Sequence, residues 1–194
     1  MTSNAPKFRL LYLPRLALES VLSNFDHLER FEFSTCSKRC KRVVESLKHG
    51  CIEIGVRINH RLTSVTVISG STLKAFTWFH LFKSPPSGNH QFVTLNGRTI
   101  RMTKNPRRVS FYCPRELTVD TKALVDHLVE TFRVPIKILE FEMDYFNDYR
   151  DFVQCFPKCD NLRISGVWPI SEEDITYLQE HVEHNHFYKN GNLQ

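Results

Sequence analysis

The apolar residues of this chain change period at Gly50, and that switch constrains the fold more than any single motif. Before it, Leu18, Val21, Leu22 and Phe25 recur at helical spacing; after it come short β-branched or aromatic runs, several of them in strict alternation. A helical head followed by strands, then by alternating helix and strand, is the pattern of an α+β protein. Three helices read out of residues 14–48. Pro14 sits at a first helical turn, where its missing N–H costs least. Asp26 ends that helix and caps the next, and Glu29, three residues on, completes the reciprocal capping pair ahead of Phe31 and Phe33. Ser37 caps a third helix over "SKRCKRVVESLK", basic on one side and apolar through Cys40, Val43, Val44 and Leu47 on the other.

Six strands follow: "IEIGVRI", "SVTVIS", "LKAFTWF", "FVTLN", "RTIRMTK" and "RRVSFYC", punctuated by Asn-His, Gly-Ser, Pro-Pro-Ser-Gly-Asn and Asn-Gly turn signals. Asn96-Gly97 between two such runs predicts a tight hairpin. Residues 52–113 are thus expected to form a twisted antiparallel sheet. From residue 120 the pattern alternates: helix "TKALVDHLVETF", strand "IKILEFEM", helix "YRDFVQCF", strand "CDNLRISGV", and helix "SEEDITYLQEHV" opened by Ser171 with Asp174 as its partner. Leu139 and Leu162 are 23 residues apart, the period of a leucine-rich array. An ordinary βαβ unit has the same spacing, and both readings stand.

At 194 residues, 41% hydrophobic and 24% charged, the chain has the balance of a folded soluble protein that buries a real core. Its apolar run Leu10–Leu18 is interrupted by Pro14 and Arg15, short of the roughly 20 uninterrupted residues of a membrane helix. No small-residue cleavage site follows it, and no Asn-x-Ser/Thr acceptor occurs. With six cysteines read as free thiols, the expected compartment is cytoplasm or nucleus.

Charge is unevenly spread. Residues 51–115 hold ten basic and one acidic side chain, residues 116–194 seven and fifteen. Two readings fit: a nucleic-acid-binding module using the basic middle, or a basic sheet lying against an acidic helical layer. A nucleic-acid face would need aromatics interleaved on an exposed sheet or a reading helix, and the sequence assigns neither.

Signatures of catalysis are missing from the sequence: no phosphate-cradling Gly-rich loop, nucleophile elbow, His-Glu-x-x-His or calcium loop. Cys155 and Cys159 with His181, His184 and His186 offer zinc-ligand chemistry, which would make a zinc-stabilised structural protein. The gap between the pairs is longer than a finger's, and Pro157 and the intervening strand point instead to buried thiols and surface histidines on a C-terminal helix. Neither a metal nor a cofactor is expected. Glu140, Glu142, Asp144, Asp148 and Asp151 read as solvent-facing carboxylates along a strand and onto the next helix.

The three-helix unit carries more apolar side chains than about 40 residues can hide, so it needs a partner. Its residues 8–48 resemble an F-box: the Leu13-Pro14 opening, the Val21-Leu22 pair, the helix over Glu29 to Phe33, the Ser and Lys-Arg that lead the last helix, and Val43-Val44. "FS..SKR.K..V" is similar to the nematode-expanded F-box family, with Cys40 where many F-boxes carry Trp. "LVDHLVETFRVPIKILEFEMD" and "FPKCDNLRISGVWPISEEDITYLQEHV" resemble the F-box-associated domain of that family, over residues 52–194. Such domains usually continue with further strand and helix, so the resemblance leaves two readings, a truncated product or a degenerate copy.

The resemblance implies a non-catalytic substrate adaptor. The F-box docks on the Skp-type adaptor of a cullin ubiquitin ligase and the downstream domain holds an unknown protein substrate. The partner-binding residues it suggests are Leu13, Pro14, Leu16, Leu18, Val21, Leu22 and Phe31, with Lys38 and Arg39 as a basic rim that either steers an acidic partner or is merely solvated. Leu13, Pro14 and Leu22 are expected to face outward, and Phe25 and Phe33 inward.

Overall fold

A computed structural model describes residues 10–50, 52–69, 75–84, 90–105, 108–144, 146 and 149–190. The turn signals at 70–71 and 85–89, together with Cys51 and Asp148, lie outside them. Helices α1 (Arg15–Ser23), α2 (His27–Cys36) and α3 (Lys38–Glu45) follow a short 3-10 turn at Leu10–Tyr12. Strands β1 (Ile52–Ile58), β2 (Leu62–Ser69), β3 (Ala75–Phe82), β4 (Gln91–Leu95), β5 (Arg98–Asn105) and β6 (Arg108–Tyr112) come next. Helix α4 (Leu117–Phe132), β7 (Ile136–Glu142), α5 (Tyr149–Cys155), β8 (Asn161–Ser165), α6 (Glu172–His181) and β9 (His186–Asn190) complete the order.

Local chemistry explains the boundaries. Asp26 accepts from the Glu29 N–H at 2.8 Å while the Glu29 carboxylate accepts from the Asp26 N–H at 2.8 Å, so both orphan donors are met. Ser37 and Ser171 cap α3 and α6. Asn96 (φ 47°) and Gly97 (φ 83°) both lie in the left-handed region, the geometry that a two-residue hairpin between β4 and β5 needs.

All nine strands join one sheet in the order β4-β5-β6-β3-β2-β1-β7-β8-β9. This corrects the expected antiparallel sheet over residues 52–113, because β6 returns to lie parallel to β3 and the β4-β5 hairpin is placed outside it. On the other side β7 lies parallel to β1, and β8 and β9 extend the parallel wing with Leu139, Leu162 and Phe187 in register. The leucine spacing therefore places neighbouring strands side by side. Strand β9 is a further correction. The C-terminal helix stops at His181, so His184 and His186 fall beyond it, where the Asp160 carbonyl accepts from the Asn185 and His186 N–H groups at 3.0 and 3.1 Å.

Helices cover one face of the sheet. Inward residues such as Ile54, Val65, Phe79, Phe111, Leu139 and Leu162 form one core with α2, α4, α5 and α6. Helix α4 is buried along most of its length, through Leu124, Leu128 and Phe132, because it lies between the sheet and the N-terminal helices. No helix among the described residues is long and apolar enough to cross a membrane.

The central contact is Phe31 of α2, fully buried, with its ring 4.9 Å from that of Phe79 and 6.5 Å from that of Phe111. Phe31→Ala is expected to cost about 3–5 kcal/mol of folding stability, read from the urea midpoint at unchanged slope.

Candidate functional site

The N-terminal helices are tied to the sheet by polar contacts as well as by Phe31. Ser34 on α2 and His127 on α4 share a buried hydrogen bond of 2.7 Å between Oγ and Nε2. Lys41 pairs with Glu130, and Lys104 of β5 reaches Glu32 at 2.6 Å. His27 and His49 flank Phe132 with ring centroids at 5.7 and 5.2 Å. Arg30, buried, donates to the carbonyls of Ser23 at 2.9 Å and Leu22 at 3.3 Å, the latter also accepting from the Phe25 N–H, and so ties α2 to the C-terminal turn of α1.

The face these contacts leave free belongs to α1 and the segment before it. Tyr12 is 72% exposed, Leu16 81% and Val21 38%, with Pro14 also exposed and Leu13 half-buried. A shallow depression lined by Leu16, Ser20, Ser23 and Leu47 runs between α1 and the end of α3. Lys38 is exposed, whereas Arg39 donates to the Leu11 carbonyl at 3.0 Å and lies 5.7 Å from the centre of the Tyr12 ring. Arg39 thus holds the leading turn in place and presents Tyr12 beside Leu16.

Three of the suggested binding residues point the other way. Leu22 is fully buried, correcting the outward placement, and Leu18 is 8% exposed. The two stand one turn apart on the inward face of α1 and, with Cys40 and Val44 of α3, are buried outside the main core. Phe31 belongs to the sheet core. Phe25 and Phe33 are half-buried and pack edge to face at 6.2 Å. Leu16, Leu18, Val21 and Leu22 spread over more than half of the circumference of α1, so helical spacing alone could not tell Leu16 from Leu22. Tyr12 was missed; its place in the apolar run just before Leu13-Pro14 was the available signal.

The other candidates are scattered. Cys155 is half-buried on α5, and Cys159 is buried, with its thiol pushed up to about 11 by burial. The rings of His181 and His184 each meet a backbone carbonyl, of Tyr177 at 2.8 Å and of Val182 at 2.6 Å. Among the described residues no three His, Cys, Asp or Glu side chains come together as a metal site, and the five described cysteines are free thiols. Glu140, Glu142 and Asp144 are half-buried and partnered, where solvent exposure was expected, whereas Asp151 is exposed. Glu140 meets Arg57 at 3.1 Å, Glu142 accepts from the Asn59 amide at 3.0 Å, and Asp144 accepts from the N–H groups of Val167 and Trp168.

The F-box domain family matches residues 10–51, about a fifth of the chain, and these are the residues of the three helices just described. No curated protein and no solved structure matches the chain. The N-terminal helices are an F-box domain. F-box domains in general bind the Skp-type adaptors of cullin ubiquitin ligases, and the proteins that carry them are generally non-catalytic SCF adaptors.

Burial drives the His127 pKa down to about 4, with Lys41 acting in the same direction and Glu130 opposing. An unfolded chain takes up a proton at this residue below about pH 6.5 while the folded one does not, so stability is full above that pH and falls towards pH 4. The loss attributable to His127 is expected to reach about 3 kcal/mol. His127→Gln should flatten that part of the pH dependence when unfolding free energies are compared at pH 7 and pH 4.5.

Proposed function

We propose that this chain is the substrate-recognition subunit of an SCF-type ubiquitin ligase, with its F-box held by a Skp-type adaptor and its sheet domain holding the target. The observation that carries the proposal is the exposed apolar set Tyr12, Pro14, Leu16 and Val21 on a matched F-box whose other apolar face is already buried against the sheet. Each such anchor contributes about 1.5–3 kcal/mol on full burial, before the costs of association are subtracted. Lys38 and Arg42, both exposed, lie on α3 within the same domain and suit an acidic partner. The C-terminal similarity to the F-box-associated domain of the nematode-expanded family supports the target-holding role. The chain transfers nothing itself; it raises the concentration of a target near the ubiquitin-carrying enzyme.

A pull-down with a Skp-type adaptor tests the docking face. Leu16→Asp combined with Val21→Asp is expected to abolish retention while the circular dichroism spectrum stays native, because both side chains already meet water. Full retention by that variant would remove this face from the proposal. Leu22→Asp is unsuitable as a test, since it buries a charge and unfolds the trio.

A further inference from the structure

Strands β2 to β6 contain no Asp or Glu at any position, and their cations divide by face. Lys104 and Arg98 point to the helices and are ion-paired there, with Glu32 and with Glu116 and Asp120. Arg101 and Arg108 point to the open face and meet no carboxylate among the described residues. The helical layer thus neutralises one side of the basic region and leaves the other.

The open face is also aromatic. Register places Phe92, Arg101, Tyr112 and Phe82 in one row across four strands, and Trp78, His80 and Phe82 follow along β3. Phe92 is 68% exposed. Beside this row lies a groove of about 260 Å³ lined by Gly55, Thr66, Ile68, Trp78, Ile138 and Arg163, and also by Glu140, whose carboxylate is paired with Arg57 at 3.1 Å. It exists because Gly55 has no side chain, and a Cβ built there would have Ile138 Cβ at 3.9 Å as its only near neighbour. Arg108 is the cross-strand neighbour of Trp78 and Arg101 lies one strand further out, so the guanidinium groups that meet no carboxylate among the described residues stand on the β6 side of the groove, while on the β7–β8 side Glu140 lies beside Arg57 and Arg163.

This surface differs from a base-stacking platform in one respect. Trp78, His80 and Phe82 stack on each other, with centroids 5.9 Å apart and planes within 18° of parallel. The Arg101 guanidinium lies 5.8 and 5.7 Å from the centres of Phe92 and Tyr112, and Arg163 lies 5.6 Å from the centre of Tyr188. Those ring faces are covered by neighbours, whereas a nucleic acid would need them open. Held over rings, the guanidinium groups keep their planar donor forks for a carboxylate. The groove is smaller than the roughly 300–1,000 Å³ usual for small-molecule sites, and its lining is mostly apolar, which suits a single aliphatic side chain.

We infer that the open face of the sheet binds an extended acidic segment of a protein, with one apolar side chain in the Gly55 groove and carboxylates to one side of it on Arg108 and Arg101. The inference rests on the reading that the sheet domain holds a target, and it names where and by what chemistry.

Selection of random peptides on the immobilised full-length chain tests it. Recovered sequences are expected to carry Asp or Glu to one side of an aliphatic residue. Binding of a synthesised winner should fall at least about tenfold in Arg101→Glu/Arg108→Glu and in Gly55→Val, which fills the groove with a residue suited to a strand. Recovered peptides without acidic bias, equal binding by both variants, or displacement of the winner by single-stranded oligothymidine would overturn the inference. Both variants should still retain the Skp-type adaptor. Loss of that retention in the wild-type chain would count against the adaptor reading alone.

Discussion

The seating of Phe31 between Phe79 and Phe111 is the contact on which the rest of the molecule depends. A trihelical unit of about 40 residues is too small to bury its own apolar surface. Here α2 resolves that shortage by giving its apolar face to the sheet and α4, so the F-box and the domain behind it share one core. The buried bond between Ser34 and His127 helps fix the orientation of that joint, and Lys41 with Glu130 and Lys104 with Glu32 add partly exposed ion pairs across it.

Burying α2 decides which apolar surface remains for a partner. Leu18 and Leu22 turn inward with Cys40 and Val44, and the outward half of α1 keeps Pro14, Leu16 and Val21. Arg39 carries the arrangement one step further by holding the Leu11 carbonyl and the Tyr12 ring, which brings an aromatic side chain to the edge of the same patch. A residue singled out for its charge acts here largely through position.

The same division of faces organises the sheet. Lys104 and Arg98, which face the helices, are neutralised by Glu32, Glu116 and Asp120; on the far side Arg101 is held between the rings of Phe92 and Tyr112, and it and Arg108 meet no carboxylate among the described residues. Of the two readings of the basic middle region, the basic sheet lying against an acidic helical layer describes the inward face. Alternation along a strand puts successive residues on opposite sides, so Lys104 and Arg101, three apart on β5, serve different ends.

Several features were legible from the sequence because they depend on neighbours within a few residues. The Asp26–Glu29 capping pair, the Asn96-Gly97 hairpin, the strand alternation and the F-box pattern all follow from local backbone and hydrogen-bond chemistry. Strand order, the parallel placement of β6 beside β3, the presence of β9 and the inward turn of Leu22 were not, because each is set by which distant surface an apolar face meets. Only the tertiary structure could separate buried from exposed leucines on α1, since its apolar residues spread over more than half of its circumference and burial depends on the elements that pack there.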